Sequence, residues 1–196
     1  MTFWDFCSPI YDFAQKRNVN YDKWINTVKD YVDKDSFVIE LAGGTGEISV
    51  RIVNKVKKVI CTDISEKMLK VARKKANNIS NISFEVCDIY SMGFANNTFD
   101  ILIASQVLHL LDNPKKAISE IVRVTKNKII LPVCLLKDIK GFAKLQVSIW
   151  KLLGFKPKYT FDKEGYIEFL ENYGLKIIEY TVVEGAMPIM VVVCEK

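Results

Sequence analysis

Val38-Ile39-Glu40-Leu41-Ala42-Gly43-Gly44-Thr45-Gly46-Glu47 is a short apolar run holding one acid, followed by three glycines within four residues. The run reads as a buried strand, the glycines as a tight turn, and Glu47 onward as the first turn of a helix. Glycine lets the backbone approach a bound molecule with no Cβ between them, and it permits positive φ. The unpaired N–H groups at the start of a helix favour an anionic group such as a phosphate or carboxylate. The stretch therefore points to a ligand held at a strand-to-helix turn, without naming it.

Outward from this turn the pattern alternates. Strands are expected over 36–42, 57–62, 82–87, 99–104 and 127–133, with helices over 46–54, 66–77 and 114–124. Continuous apolar strands such as Ile101-Leu102-Ile103-Ala104 and Ile129-Ile130-Leu131 suit a sheet covered on both faces. The order implies right-handed crossovers and a doubly wound, mostly parallel sheet, whose ligand crevice lies beyond the carboxyl ends of the strands at the switch point. Gly44, Asp63, Asp88 and Ser105 all fall at expected strand ends and converge on that edge. Asp162 to Tyr173 reads as a helix with Asp162 as N-cap and Gly174 as its stop. Lys176–Val183 and Ile189–Cys194 read as an antiparallel pair joined around Gly185-Ala186-Met187-Pro188. The fold class is α/β.

Two regions stand outside the alternation of one domain spanning 1–196. Residues 1–30 form an aromatic cap: Phe3-Trp4-x-Phe6 and Tyr11-Asp12-Phe13, then Tyr21, Trp24, Ile25, Val28 and Val32 at the spacing of an amphipathic helix. Residues 136–160 carry Lys137, Lys140, Lys144, Lys151, Lys156 and Lys158 against one acid, Asp138, interleaved with Phe142, Leu145, Ile149, Trp150, Leu152, Leu153 and Phe155. That insert reads as a solvated helical face, as a lid with an apolar inner side, or as a helix lying on an anionic membrane.

Composition excludes several classes. At 196 residues, 49% hydrophobic and 26% charged, the chain is an ordinary globular domain rather than a disordered one. Cys7, Cys61, Cys87, Cys134 and Cys194 are scattered and never form a C-x-x-C pair, which argues against a zinc site or disulfide framework and for no metal. The N-terminus has no basic stretch leading into an apolar core, and no apolar run approaches the roughly 20 residues that span a bilayer, so the cytoplasm is the expected compartment. A net charge of +5 permits a nucleic-acid partner without indicating one. Neither nucleic acid nor membrane contact is expected, and a homodimer is allowed.

Glu40-x-Ala42-x-Gly44-x-Gly46, then Cys61-Thr62-Asp63-Ile64-Ser65-x-x-Met68-Leu69 and Val86-Cys87-Asp88-Ile89, resemble the first three motifs of the class I S-adenosylmethionine-dependent methyltransferases, nearest the small-molecule branch of ubiquinone/menaquinone-type C-methyltransferases. The resemblance implies a seven-stranded Rossmann-like sheet ending in the antiparallel pair, S-adenosylmethionine as cofactor, and a small-molecule acceptor with apolar character. It implies a turn of Ala42, Gly43, Gly44, Thr45 and Gly46 against the cofactor, with Glu40 oriented to the turn amides and the ammonium end. Asp63 would take the ribose hydroxyls. Asp88 would take the adenine amine, with the Ile89 N–H on a ring nitrogen, Ile64 following the ribose acid and Met68 against the ring. Carbonyls of Ser105 and Gln106 would accept from the ammonium, and Tyr11 would close over the site. The family has glycine where this chain has Ala42, so Gly43 is expected to carry any left-handed dihedral.

His109, the single histidine, reads either as a structural group in an apolar stretch or as a general base. Three rivals are weighed. A nicotinamide-dependent oxidoreductase shares an acid after a glycine turn, but the sixth position from Gly44 is Ser49, which puts a side chain where G-x-G-x-x-G packing has none. A nucleic-acid amino-methyltransferase commonly carries Asn/Asp-Pro-Pro-aromatic after the fourth strand, where this chain has Ala104-Ser105-Gln106-Val107. The third is a non-catalytic protein that keeps the cofactor crevice.

Overall fold

The computed structural model describes residues 20–196. In chain order the elements are α1 (Tyr21–Asp30), β1 (Phe37–Leu41), α2 (Glu47–Ile52), β2 (Lys58–Asp63), α3 (Glu66–Lys75), β3 (Ile82–Val86), β4 (Phe99–Ala104), α4 (Pro114–Val124), β5 (Thr125–Cys134), α5 (Phe142–Leu152), α6 (Lys163–Asn172), β6 (Lys176–Val183) and β7 (Ile189–Glu195). The strands form one sheet in the order β3-β2-β1-β4-β5-β7-β6. β1 to β5 are parallel, while β7 runs antiparallel to β5 and β6 to β7. The α/β class and terminal antiparallel pair are as the sequence indicates.

Alternate residues of each central strand feed opposite cores. Ile39 and Leu41 join Leu102, Ile129 and Leu131 beneath Ile118 and Ile121 of α4 and Leu170 of α6. Val38 joins Val59, Ile101, Ile103 and Ile130 beneath Ile25 and Val28 of α1 and Ile48 and Ile52 of α2. Helices on both faces leave the carboxyl edge of β1 and β4 as the switch point, because the chain leaves β1 toward β2 while β4 adds on the other side. Several ends obey local chemistry. Ser65 accepts from the Met68 N–H, Asn113 from Lys116 with Pro114 at the first helical position, and Asp162 from Gly165. β5 begins at Thr125, two residues earlier than expected, because α4 runs directly into it.

The turn after β1 departs from expectation in an informative way. Ala42 itself carries the left-handed dihedral, φ 51°, and Gly43 does not; Gly44 and Gly46 do, at 56° and 72°. An L-residue there costs roughly 1–2 kcal/mol. Gly43 is required for space instead: a Cβ on it would lie 2.6 Å from Cys61 Sγ and 3.1 Å from Glu40 Cδ. β1 is locked below this point by Glu40, only 2% exposed, whose Oε2 accepts the Ser49 N–H at 3.0 Å and the Ser49 hydroxyl. Burial pushes the Glu40 carboxyl up to about 7, opposed by the two Ser49 hydrogen bonds. Ser49 therefore does not crowd the turn; it clamps α2 to β1.

Gly43→Ala should cost about 1–3 kcal/mol of stability in denaturant titration, since Cys61 is fully buried and cannot withdraw. Glu40 yields a pH dependence. Its folded pKa of about 7 lies above the ordinary glutamate value of about 4.5, so between these values the folded state holds a proton the unfolded chain has released. Stability is then greatest below pH 4.5 for this group and falls as pH rises through about 7, by on the order of 2–3 kcal/mol. Glu40→Gln should flatten that segment of the stability-against-pH curve; an unchanged slope would assign it elsewhere.

Candidate functional site

A cavity of about 490 Å³ opens at the carboxyl edge of β1, β2, β3 and β4. Its size suits a drug-sized or nucleoside-sized ligand. Glu40, Ala42, Gly43, Gly44, Thr45, Asp63, Ile64, Met68, Asp88, Ile89, Ser105, Gln106 and His109 all line it. Gly46 does not. Its positive φ and a would-be Cβ only 2.8 Å from Ala72 Cβ explain that glycine by helix packing against α3. Tyr11 lies outside the described residues.

Asp63 is the joint of the site. It is 8% exposed, and its two oxygens accept different loops: Oδ2 takes the Gly44 N–H at 2.9 Å and Oδ1 the Ser65 N–H at 2.8 Å. The backbone reinforces this, with Gly43 N–H donating to Thr62 C=O at 2.8 Å and Cys87 N–H to Asp63 C=O at 3.2 Å. Beside it Ile64 is 64% exposed on the cavity wall, an apolar side chain in the place where a flat ring could rest, while Met68 is buried behind it. Asp88 is exposed, and its Oδ1 accepts from Tyr90 N–H at 2.9 Å, which holds the loop after β3 in a turn.

On the β4 side, Gln106 has φ 55°. Two non-glycine residues in the left-handed region, Ala42 and Gln106, thus flank the switch point, each at a cost of order 1–3 kcal/mol that the surrounding bonds must hold. Gln106 is tied down at both ends: its N–H donates to Pro132 C=O at 2.8 Å and its Oε1 accepts the Cys134 N–H at 2.8 Å. Ser105 Oγ and His109 Nδ1 are buried and, among the described residues, have no hydrogen-bond partner. Buried polar atoms in that state each call for an explanation, and here both belong to residues of the same cavity wall. Burial pulls the His109 imidazole down to about 4, so it is neutral at physiological pH.

Further walls were not assigned to the cavity from sequence. Tyr21 and Trp24 of α1 close one side, and Val147, Trp150, Leu153 and Phe155 close another. Phe155 meets the His109 ring edge-on at 5.9 Å, and the Lys158 and Tyr159 N–H groups donate to His109 C=O at 2.8 and 3.1 Å. The far end of the insert is therefore stapled to the histidine loop, and Lys158 also pairs with Asp112 at 2.6 Å. Its near end is fixed by Lys140 N–H to Ala186 C=O at 2.9 Å. Apolar residues interleaved with lysines were the available signal; the side each one takes depends on these long-range bonds.

The family described as "methyltransferase domain" matches residues 39–131, the segment from β1 to the middle of β5. The ubiquinone/menaquinone biosynthesis C-methyltransferase UbiE of Haemophilus ducreyi is 37% identical over 101 residues, covering 48% of this chain and 39% of that protein. The chain's match spans 37–40% of the length of such curated relatives. Magnesium protoporphyrin IX methyltransferase from Synechocystis PCC 6803, solved with bound SAH, superposes with a TM-score of 0.71 at 19% identity, over 91% of this chain and 84% of that one. The [4+2]-cyclase SpnF superposes with a TM-score of 0.72 at 16% identity, over 90% and 81%. These two likenesses concern the fold, which carries more than one chemistry. With the glycine turn, Asp63 and Asp88 on one cavity and the family match running through all three, residues 39–131 are similar to the methyltransferase-domain family, and the chain resembles the ubiquinone/menaquinone C-methyltransferases and has the fold of S-adenosylmethionine-dependent methyltransferases.

Proposed function

We propose that the protein transfers a methyl group from S-adenosylmethionine to a small-molecule acceptor with apolar character. The observation that carries this reading is the convergence of the Gly44 turn, Asp63, Ile64 and Asp88 on one cavity that also contains the orphaned Ser105 hydroxyl and His109 nitrogen. The residues present fit the cofactor. Among the described residues a Cβ placed on Gly44 would meet nothing within 4 Å, which suits open backbone presented to a ligand.

Asp63 would accept the ribose hydroxyls. Asp88 would accept the adenine amine through its second oxygen, with Ile89 N–H donating to the ring and Ile64 and Met68 lying along its face. Glu40 and the carbonyls of Ser105 and Gln106 would hold the ammonium. When bound, the cofactor supplies an electrophilic methyl on a sulfonium. The chain's part is then to align an acceptor and exclude water, a proximity effect worth several kcal/mol. Trp150, Leu153 and Phe155 do this as the inner side of a lid formed by residues 136–160. His109, neutral and adjacent, accepts a hydrogen bond or proton from the acceptor.

The apolar wall argues for the acceptor's character: Val107, Leu110, Leu136, Trp150, Phe155 and Met187 line the cavity that His109 also lines. The UbiE relatives are named for C-methylation in ubiquinone and menaquinone synthesis, and an acceptor of that kind, a ring with an apolar tail, suits this wall.

Calorimetry with S-adenosylhomocysteine should give one site, and Asp63→Ala should weaken it by about 1–3 kcal/mol, the scale of hydrogen bonds to a charged group. Unchanged affinity in a variant that still melts cooperatively would remove the ribose assignment. His109→Ala should lower kcat by about 10²–10⁴-fold while leaving that affinity within about twofold. Because its pKa lies at about 4, the wild-type rate should show no histidine limb near neutrality and decline only as pH falls toward 4. Unaltered kcat would make His109 structural.

A further inference from the structure

Helix α5 has three sides with different chemistry. At about 100° per residue, Ala143, Val147 and Trp150 share one sector, which faces inward, while Phe142, Leu145, Ile149 and Leu152 share a sector roughly opposite. The outward four are all exposed, Phe142 at 79% and Leu152 at 88%. Lys144 and Lys151 lie between the two sectors, and Lys140 and Lys156 sit just before and just after the helix. None of these four lysines forms an ion pair among the described residues, whereas Lys137 and Lys158 are spent on Asp162 and Asp112. Asp138 is the single acid between 136 and 160.

An exposed stripe of large apolar side chains edged by unpaired cations specifies what can cover it. A second copy would bring the same lysines against themselves, and a helix about 16 Å long offers far less than the roughly 800 Å² per partner of a stable protein interface. Side chains of mixed length with flexible, unpaired lysines suit a fluid anionic surface, where the apolar face enters the acyl boundary and the ammonium groups meet phosphates. No helix of the described residues is long and apolar enough to cross a membrane, so such contact is peripheral.

We propose that α5 docks the protein on an anionic lipid surface through Phe142, Leu145, Ile149 and Leu152, with Lys140, Lys144, Lys151 and Lys156 on the headgroups. This departs from the expectation that the chain makes no membrane contact. The inner side of the same helix walls the cavity at Val147 and Trp150, so docking sets a wall of the cavity beside the bilayer. That this delivers an apolar methyl acceptor rests on the function proposed above; the docking itself does not.

The test is flotation with mixed phosphatidylglycerol–phosphatidylcholine vesicles against pure phosphatidylcholine, at low and high salt. The wild-type chain should float with the anionic vesicles and be released by salt. Phe142→Asp combined with Leu152→Asp, and separately Lys144→Glu combined with Lys151→Glu, should each weaken vesicle affinity about tenfold or more. Melting temperature and S-adenosylhomocysteine affinity should not change, since none of these side chains lines the cavity. No flotation of the wild type at low salt, or flotation indifferent to both double variants, would overturn the proposal. So would a concentration-dependent dimer in sedimentation that the Phe142/Leu152 variant abolishes, because the stripe would then belong to a second copy. Vesicle binding without S-adenosylhomocysteine binding would keep the docking and remove the methyl-transfer reading.

Discussion

The site depends on one buried carboxylate holding two loops at once. Asp63 ends β2, yet its oxygens take amides from the turn after β1 and from the start of α3. Each bond is charge-assisted and shielded from water, the condition under which such bonds are strongest. Parallel strands place their carboxyl ends side by side but do not fix the loops that leave them. The aspartate supplies that fixation, so the turn's glycines present their backbone to the cavity in one geometry.

Glu40 performs the matching task one strand over. The parallel register sets it opposite Cys61 on β2 and Ile103 on β4, in the middle of the sheet, and its charge has no solvent. It is tolerable because Ser49 donates twice and because its pKa has risen to about 7, which lets a proton reside there. Burial pushes the neighbouring Cys61 thiol up as well, with the Glu40 charge adding to the effect. The backbone strain at Ala42 and Gln106 sits on either side of this pair. Strain collected at the switch point of the sheet, where the cavity opens, is what a pre-formed binding surface requires.

Much of this was legible in the residues. Alternating apolar runs, the glycine turn and the acids at strand ends carry their meaning locally, because strand period, turn chemistry and burial cost are properties of a few neighbouring residues. What was not legible depended on distant partners. Ala42 could not be seen to be left-handed, since the need for glycine at 43 comes from the space taken by Cys61 of another strand and by Glu40, and not from its own dihedral. Ser49 looked like an obstruction because its acceptor is nine residues earlier, on a strand. The 136–160 insert had three readings, and the division of α5 into a cavity side, an apolar outer side and a cationic edge depends on where Lys140, Lys158 and Tyr159 are anchored.

The central claim is that this cavity grips an adenosyl group with Asp63 at its ribose. The most direct measurement is a crystal structure of the chain with S-adenosylhomocysteine. The account places the ribose hydroxyls within hydrogen-bonding distance of Asp63, the adenine between Ile64 and the Asp88 loop, and the sulfur toward Ser105 and His109. A nucleoside bound elsewhere, or one turned so that Asp63 touches only the Gly44 and Ser65 amides, would contradict it.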